Sequence, residues 1–251
     1  MAALRPARRR SGLAPAGTGP VMKLVAFDGD DTLWHNEPLF WATQDRFKAL
    51  LEPYCPPEHL AERLLATEVA NLGLFGYGIK GFVLSMIETA IQVSDGQVPN
   101  TVIQELIERG KHMLAHPVHL LDQVAEAVAA VKAGGHRVMV ITKGDLMDQE
   151  AKLARSGLAD LFAAVEVVSE KDEALYRRLF AKHGSGCEAC VMVGNSVRSD
   201  ILPVLAAGGW AVHIPYAGPV WAHERAEPPV DHPRYAGLSS MGELPGWLRE
   251  I

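Results

Sequence analysis

Cysteine is too scarce here for a disulfide framework: Cys55, Cys187 and Cys190 are the only three in 251 residues, and their spacing is irregular. A reducing, cytoplasmic setting is the expectation that follows. Cys187 and Cys190 form a C-x-x-C pair, but no second cysteine pair or close histidine pair completes a zinc site. Cys190 also opens the apolar run CVMVG, where a thiol serves as a small hydrophobe. Positive charge is short as well, with 24 Lys and Arg against 30 Asp and Glu, which argues against a general nucleic-acid binder. A small phosphorylated metabolite needs only local positive charge and stays open as a partner. No apolar window is long enough to span a membrane. His112, His116 and His119 look like a metal cluster by count, yet Pro117 breaks any shared helical face.

What is present is ordered along the chain. The first twenty residues mix Arg, Ala, Gly and Pro without periodicity and are expected to be a disordered extension, 1–20; Arg8, Arg9 and Arg10 would suit an import signal or an acidic partner, and Met22 is an equally plausible start. LVAF, Leu24 to Phe27, reads as a short buried strand. For about eighty residues afterwards the apolar positions recur at helical spacing, over Leu39–Leu51, Pro57–Leu72, Lys80–Ile91 and Val98–Leu114, with Asn100 or Thr101 as a cap. LGLFGYG, Leu72 to Gly78, interrupts this helical insert either as a sharp bend or as a surface that touches a ligand. From Pro117 onward helix and strand alternate, beginning with a helix over VHLLDQVAEAVAAVKAGG and followed by the strands HRVMVITKG, AAVEVVSEK, CVMVG and WAVHIP. The fold expected is α/β, a Rossmann-like parallel sheet with helices on both faces, built from 21–34 and 115–251, with 35–114 as the helical insert. In the tail only SSMGELPGWLREI reads as a further turn and helix.

In such sheets chemistry gathers beyond the carboxyl ends of the strands. Each major strand here ends in polar residues: Asp28 and Asp30, then Thr142 and Lys143, then Ser169 and Lys171, then Asn195, Ser196 and Asp200. Two carboxylates two positions apart in a dry pocket require a cation, a shared proton or water. An oxygen-rich set of donors suits Mg²⁺ better than zinc, and a metal, lysine and hydroxyl together suit phosphate. Asp31 is expected to point away from this group.

FDGDDTLW, VMVITKGD, VSEK and VGNSVRSDI, in that order, resemble the four motifs of the haloacid dehalogenase-like hydrolase superfamily. The helical insert is similar to the cap of the subclass that carries it between the first and second motifs. The resemblance implies that Asp28 is the nucleophile forming an aspartyl-phosphate and Asp30 the general acid and base. It implies that Thr142 binds a phosphoryl oxygen and Lys171 offsets charge. Mg²⁺ would be held by Asp28, the Asp30 carbonyl, Asn195 and Asp200, with Asn195 standing where the family most often has aspartate and so removing one negative charge. His35, Asn36, Lys143 and Arg198 are substrate-contact candidates, and Phe75, Tyr77 and Lys80 could close over a leaving group. The activity implied is hydrolysis of a small phosphomonoester by a monomer or homodimer. A phosphosugar mutase, a 2-haloacid dehalogenase, for which Asp30 and Asp200 would go unexplained, and a catalytically weak binding protein are the alternatives.

Overall fold

The computed structural model describes residues 23–218 and 220–251. The reading of 1–20 as a disordered extension, with its arginine cluster, lies outside them. Six parallel strands form one sheet: β1 (Leu24–Phe27), β2 (Arg137–Lys143), β3 (Ala164–Val168), β4 (Cys190–Gly194), β5 (Trp210–His213) and β6 (Tyr235–Gly237), in spatial order β3-β2-β1-β4-β5-β6. The four-residue β1 lies at the centre and is buried throughout. Side chains alternate between faces along a strand. Val25, Phe27, Val138, Val140, Val191 and Val193 therefore share one apolar cluster, with the helices α5 (Val124–Ala133), α6 (Leu146–Ser156) and α9 (Leu244–Glu250). Leu24, Ala26, Met139, Ile141 and Met192 pack on the other side against α7 (Glu173–His183) and α8 (Leu202–Ala207). Both faces are covered, as an all-parallel sheet requires.

The sequence expectations differ from the structure at three places. The helix expected from Val118 begins only at Val124, because Gln123 takes a left-handed φ of 64° and Leu120 is drawn into a β-bridge with Trp34. The cap expected at Asn100 or Thr101 is absent: Asn100 is already helical, and the residue at the helix N-cap is Pro99. Strand β6 was not foreseen, since its three residues, Tyr235 to Gly237, are too few to show a period.

The insert is helical throughout, with α1 (Glu37–Leu51), α2 (Pro57–Phe75), α3 (Ile79–Val93) and α4 (Asn100–Ala115). It has its own core, including Phe47, Leu51, Leu60, Phe82 and Leu106. It rests on the α/β core through side chains from the Leu72–Gly78 bend and the start of α3. Tyr77 donates its hydroxyl to Glu170 Oε2 at 2.7 Å, and Lys80 pairs with Asp145 at 2.9 Å. Phe47 is fully buried between the cap helices. Phe47→Ala is expected to cost roughly 3–5 kcal/mol of cap stability, read as a lowered urea midpoint by helical circular dichroism; an unchanged midpoint would mean that the insert has no core of its own.

Candidate active site

The registry of the sheet brings the strand ends together. Phe27 is level with Val140 on β2 and Val193 on β4, and the Asp28 N–H continues the ladder by donating to Val193 O at 2.9 Å. Beyond Phe27 the chain turns sharply, with the N–H groups of Thr32, Leu33 and Trp34 all directed at the Gly29 carbonyl. Gly29 is small for a spatial reason: a Cβ there would lie 3.0 Å from the Trp34 ring and 3.1 Å from Thr142 Oγ1. Asp31, at a φ of 61°, lines the same cavity, contrary to the expectation that it would point away, and accepts the N–H groups of Asn36 and Glu37, so it holds the start of α1 and thereby the cap.

Lys171 ties the site together. Its Nζ stands 2.6 Å from Asp28 Oδ1 and 2.6 Å from Asp200 Oδ1, and all three side chains are buried. Lys171 is placed by α7, whose first turn is capped by Asp172 accepting from the Leu175 N–H at 2.7 Å. Asp200 sits in a π-helical turn, Val197–Ile201, which Ser196 caps, and its Oδ2 accepts the Ser196 N–H at 3.0 Å. Gly194 makes room, since a Cβ there would overlap the Asp200 carboxyl. Burial pushes Asp28 up to about 7 against the pull of Lys171, while Asp200 and Asp30 add to the rise. The two neighbouring carboxylates in turn hold Lys171 well above the usual ammonium range, despite its burial.

Asp28 Oδ2 and Asn195 Oδ1 converge on a single hydroxyl, Thr32 Oγ1, at 3.2 and 3.1 Å, and the same oxygen accepts the Asn195 N–H at 3.1 Å. Thr32 has one proton, so one of the two acceptors is left without a donor. That unmatched oxygen, two buried carboxylates against one lysine, and a cavity lining without His or Cys among the described residues fit a hard cation such as Mg²⁺. Among the described residues no group of three or more His, Cys, Asp and Glu is arranged to hold a metal, so the third side-chain donor would have to be the Asn195 amide.

Asp30 is held apart from Asp28. Its carboxylate accepts from Trp34 Nε1 at 2.7 Å, from Gln149 Nε2 at 2.9 Å and from Lys152 Nζ at 2.9 and 3.1 Å. Lys152 also donates to Asn36 Oδ1 at 2.9 Å. Thr142 Oγ1 lies 3.4 Å from Gln149 Oε1 at the same strand end. Gln149 and Lys152 were not singled out in the sequence. The sequence pattern pointed to the wrong face: on α6 the apolar Leu146 and Met147 are exposed while Asp148, Gln149 and Lys152 are buried.

Asp28, Asp30, Asn36, Thr142, Lys143, Lys171, Asn195 and Asp200 all line one cavity of about 330 Å³ between the sheet and the cap. Two sequence candidates are turned elsewhere. His35 is exposed with Nδ1 against the Tyr216 hydroxyl at 2.9 Å, and Arg198 donates to His223 O at 2.7 Å. Lys143 lines the cavity but is tied down: it donates to Glu224 Oε1 at 2.6 Å and Ser199 Oγ at 2.8 Å, and lies 3.9 Å from the Tyr77 ring centre. Glu224 also accepts from Ser196 and Ser199, both at 2.6 Å, and these donors and Lys143 hold it down to about 2 despite burial. Glu224 and Trp221, neither singled out as a site residue in the sequence, also form part of the cavity wall. Both lie in a tail without periodicity. Tyr77 of the Gly-rich bend lines the cavity, whereas Phe75 does not and Lys80 docks the cap. The C-x-x-C pair remains two free thiols, and burial pushes Cys190 up to about 12.

A family model for haloacid dehalogenase-like hydrolase matches residues 22–208. No curated protein matches the chain. Among solved structures, a haloacid dehalogenase-like family hydrolase from Xanthomonas campestris is 42% identical over 93% of each chain, with a TM-score of 0.82. Two others share the fold at lower identity. A 2-haloacid dehalogenase from Pseudomonas syringae pv. Tomato DC3000 is 24% identical over 92% of this chain and 99% of its own, with a TM-score of 0.61. A HAD phosphatase from Thermococcus onnurineus is 20% identical over 90% and 98%, with a TM-score of 0.57. No helix among the described residues is long and apolar enough to cross a membrane.

Burial raises Asp31 to about 8 and Glu37 and Glu68 to about 7, alongside Asp28. Between about pH 4 and 8 the folded protein thus binds more protons than the unfolded chain, and stability falls as pH rises. Glu224 acts in the opposite sense, its contribution being lost as pH falls from about 4.5 towards 2. So do His136, His213 and His223, which burial lowers and which oppose the four raised carboxyls below about pH 6.5. Urea midpoints of the metal-free protein are expected to decline steadily from pH 5 to pH 8; a flat or rising profile would mean that these carboxyls ionise freely in the fold.

Proposed function

The chain belongs to the haloacid dehalogenase-like hydrolase family, and on that premise we propose that it is a Mg²⁺-dependent phosphatase that hydrolyses a small phosphomonoester through an aspartyl-phosphate. One observation carries the proposal: Asp28, paired with Lys171, shares its cavity with a second carboxylate, Asp30, two residues on. Displacement of a halide from carbon needs no acid for an oxygen leaving group, so Asp30 has a role in phosphate chemistry that it lacks in dehalogenation.

Asp28 attacks phosphorus. The P–O bond to the alcohol breaks as the Asp28–phosphorus bond forms, and Asp30 gives its proton to the departing oxygen. Asp30, ionised by that step, then takes a proton from the water that attacks the acyl phosphate, which returns Asp28 and releases phosphate. Lys171 keeps the nucleophile and the phosphoryl oxygens from repelling one another, and the Thr142 hydroxyl donates to one of those oxygens. Mg²⁺, when bound by Asp28, the Asp30 carbonyl, Asn195 and Asp200, supplies further positive charge against the phosphoryl group. Gln149, Trp34 and Lys152 orient Asp30, and Asn36 steadies Lys152. The cap helices and the 220–225 segment cover the cavity and limit water.

Phosphate release from a panel of small phosphomonoesters is expected to need Mg²⁺, to stop with EDTA, and to be lost in Asp28→Asn. Asp30→Asn is expected to lower kcat by roughly 10²–10⁴. Full activity of Asp28→Asn, or turnover unaffected by EDTA, would contradict the proposal.

A further inference from the structure

The cavity is charged unequally from end to end. Its floor is the strand-end cluster, and its far wall is supplied by α1, α2 and α3 of the cap, where Phe40, Trp41, Leu64, Leu65, Leu72 and Phe82 make it largely apolar. The only charged side chains that the cap contributes to this wall are Glu37 and Glu68. Gln44, Asn71 and Ser85 are neutral. Among the described residues, the three cations that line the cavity all come from outside the cap. Lys171 is held between Asp28 and Asp200, and Lys143 is held by Glu224. Arg225, on the covering segment, is exposed and donates to the Val220 carbonyl at 3.3 Å.

Glu37 and Glu68 are incompletely partnered. Trp41 Nε1 donates to Glu37 Oε2 at 2.9 Å. The Trp221 indole N–H favours an ionised Glu68, but it is buried without a partner that meets hydrogen-bond geometry, so its effect is that of a nearby dipole. Both residues line the cavity of about 330 Å³, the lower bound of small-metabolite sites. Above about pH 7, where both acids ionise, a carboxylate brought there meets two like charges and no cap cation, and like charges in a poorly solvated site repel strongly. A donor-bearing or cationic group meets matched acceptors.

We infer that the leaving group of the substrate is apolar and carries a protonated amine, and that Glu37 and Glu68 select for it and against carboxylate-bearing substrates such as phosphorylated hydroxy acids. This rests on the phosphatase reading for the reaction, but the selectivity can be measured without turnover.

The test uses three esters matched in length: 4-aminobutyl phosphate, butyl phosphate and 3-carboxypropyl phosphate. With Mg²⁺ the expected order of kcat/KM is amine, then butyl, then acid, with at least about tenfold between the first and last, the size of one well-placed charge interaction. Glu68→Gln is expected to shrink the amine-to-acid ratio about tenfold, mainly through KM. Glu37→Gln, on a different helix, is expected to act in the same direction and serves if Glu68→Gln does not fold. Dissociation constants for the same esters on Asp28→Asn, by calorimetry, should keep the order. Preserved binding order without phosphate release from the parent protein would overturn the phosphatase reading and leave the selectivity standing. Equal use of the acid and amine esters, a ratio unmoved by both substitutions, or no binding of any ester would overturn the selectivity. An acid preference abolished by Arg225→Gln would overturn it by naming Arg225 as a carboxylate receptor.

Discussion

A buried lysine between two buried carboxylates is the constraint on which the rest of the structure depends. Lys171 reaches Asp28 and Asp200 at 2.6 Å each, and the three residues arrive from β1, the start of α7 and the turn after β4. Removing Lys171 would leave two buried carboxylates uncompensated, which typically costs several kcal/mol. Many local features serve this contact. Asp172 fixes the first turn of α7, Ser196 caps the turn that carries Asp200, and Gly194 leaves space for the Asp200 carboxyl. The central position of β1 puts Asp28 between the ends of its neighbours, so one short buried strand aligns the whole cluster.

A second polar network connects that cluster to its cover. Lys143 at the end of β2 joins Glu224 and Ser199 and lies against the Tyr77 ring of the cap, while Tyr77 reaches Glu170. Core, cap and tail thus meet around one ammonium group. Asp31 contributes by holding the first N–H groups of α1, so the motif that carries Asp28 also anchors the insert.

The strand-end residues were legible in the sequence because a parallel sheet leaves no choice about where strand ends lie. Asp28, Asp30, Thr142, Lys171, Asn195 and Asp200 were found that way, and all line the cavity. The partners of Asp30 were not. Gln149 and Lys152 sit on a helix whose exposed Leu146 and Met147 argue for the opposite face, so a hydrophobic stripe misdirects the reader. Glu224 and Trp221 belong to an irregular tail whose place is set by packing alone, without any periodic signal. His35 and Arg198 were misjudged for a related reason: nearness to a motif in sequence does not fix the direction of a side chain, and theirs turn to Tyr216 and His223. The small size of Gly29 has its reason in tertiary packing, the Trp34 ring and Thr142 hydroxyl beside it.

The central claim is that Asp28 attacks phosphorus and carries the phosphoryl group between two steps. The most direct measurement is rapid acid quench of the protein during turnover of a phosphorus-labelled ester, followed by peptide mapping. The account predicts label on the peptide containing Asp28, removed by hydroxylamine as an acyl phosphate must be. Label on a serine or threonine peptide, or turnover with the protein never labelled even when the quench is faster than a single cycle, would contradict it.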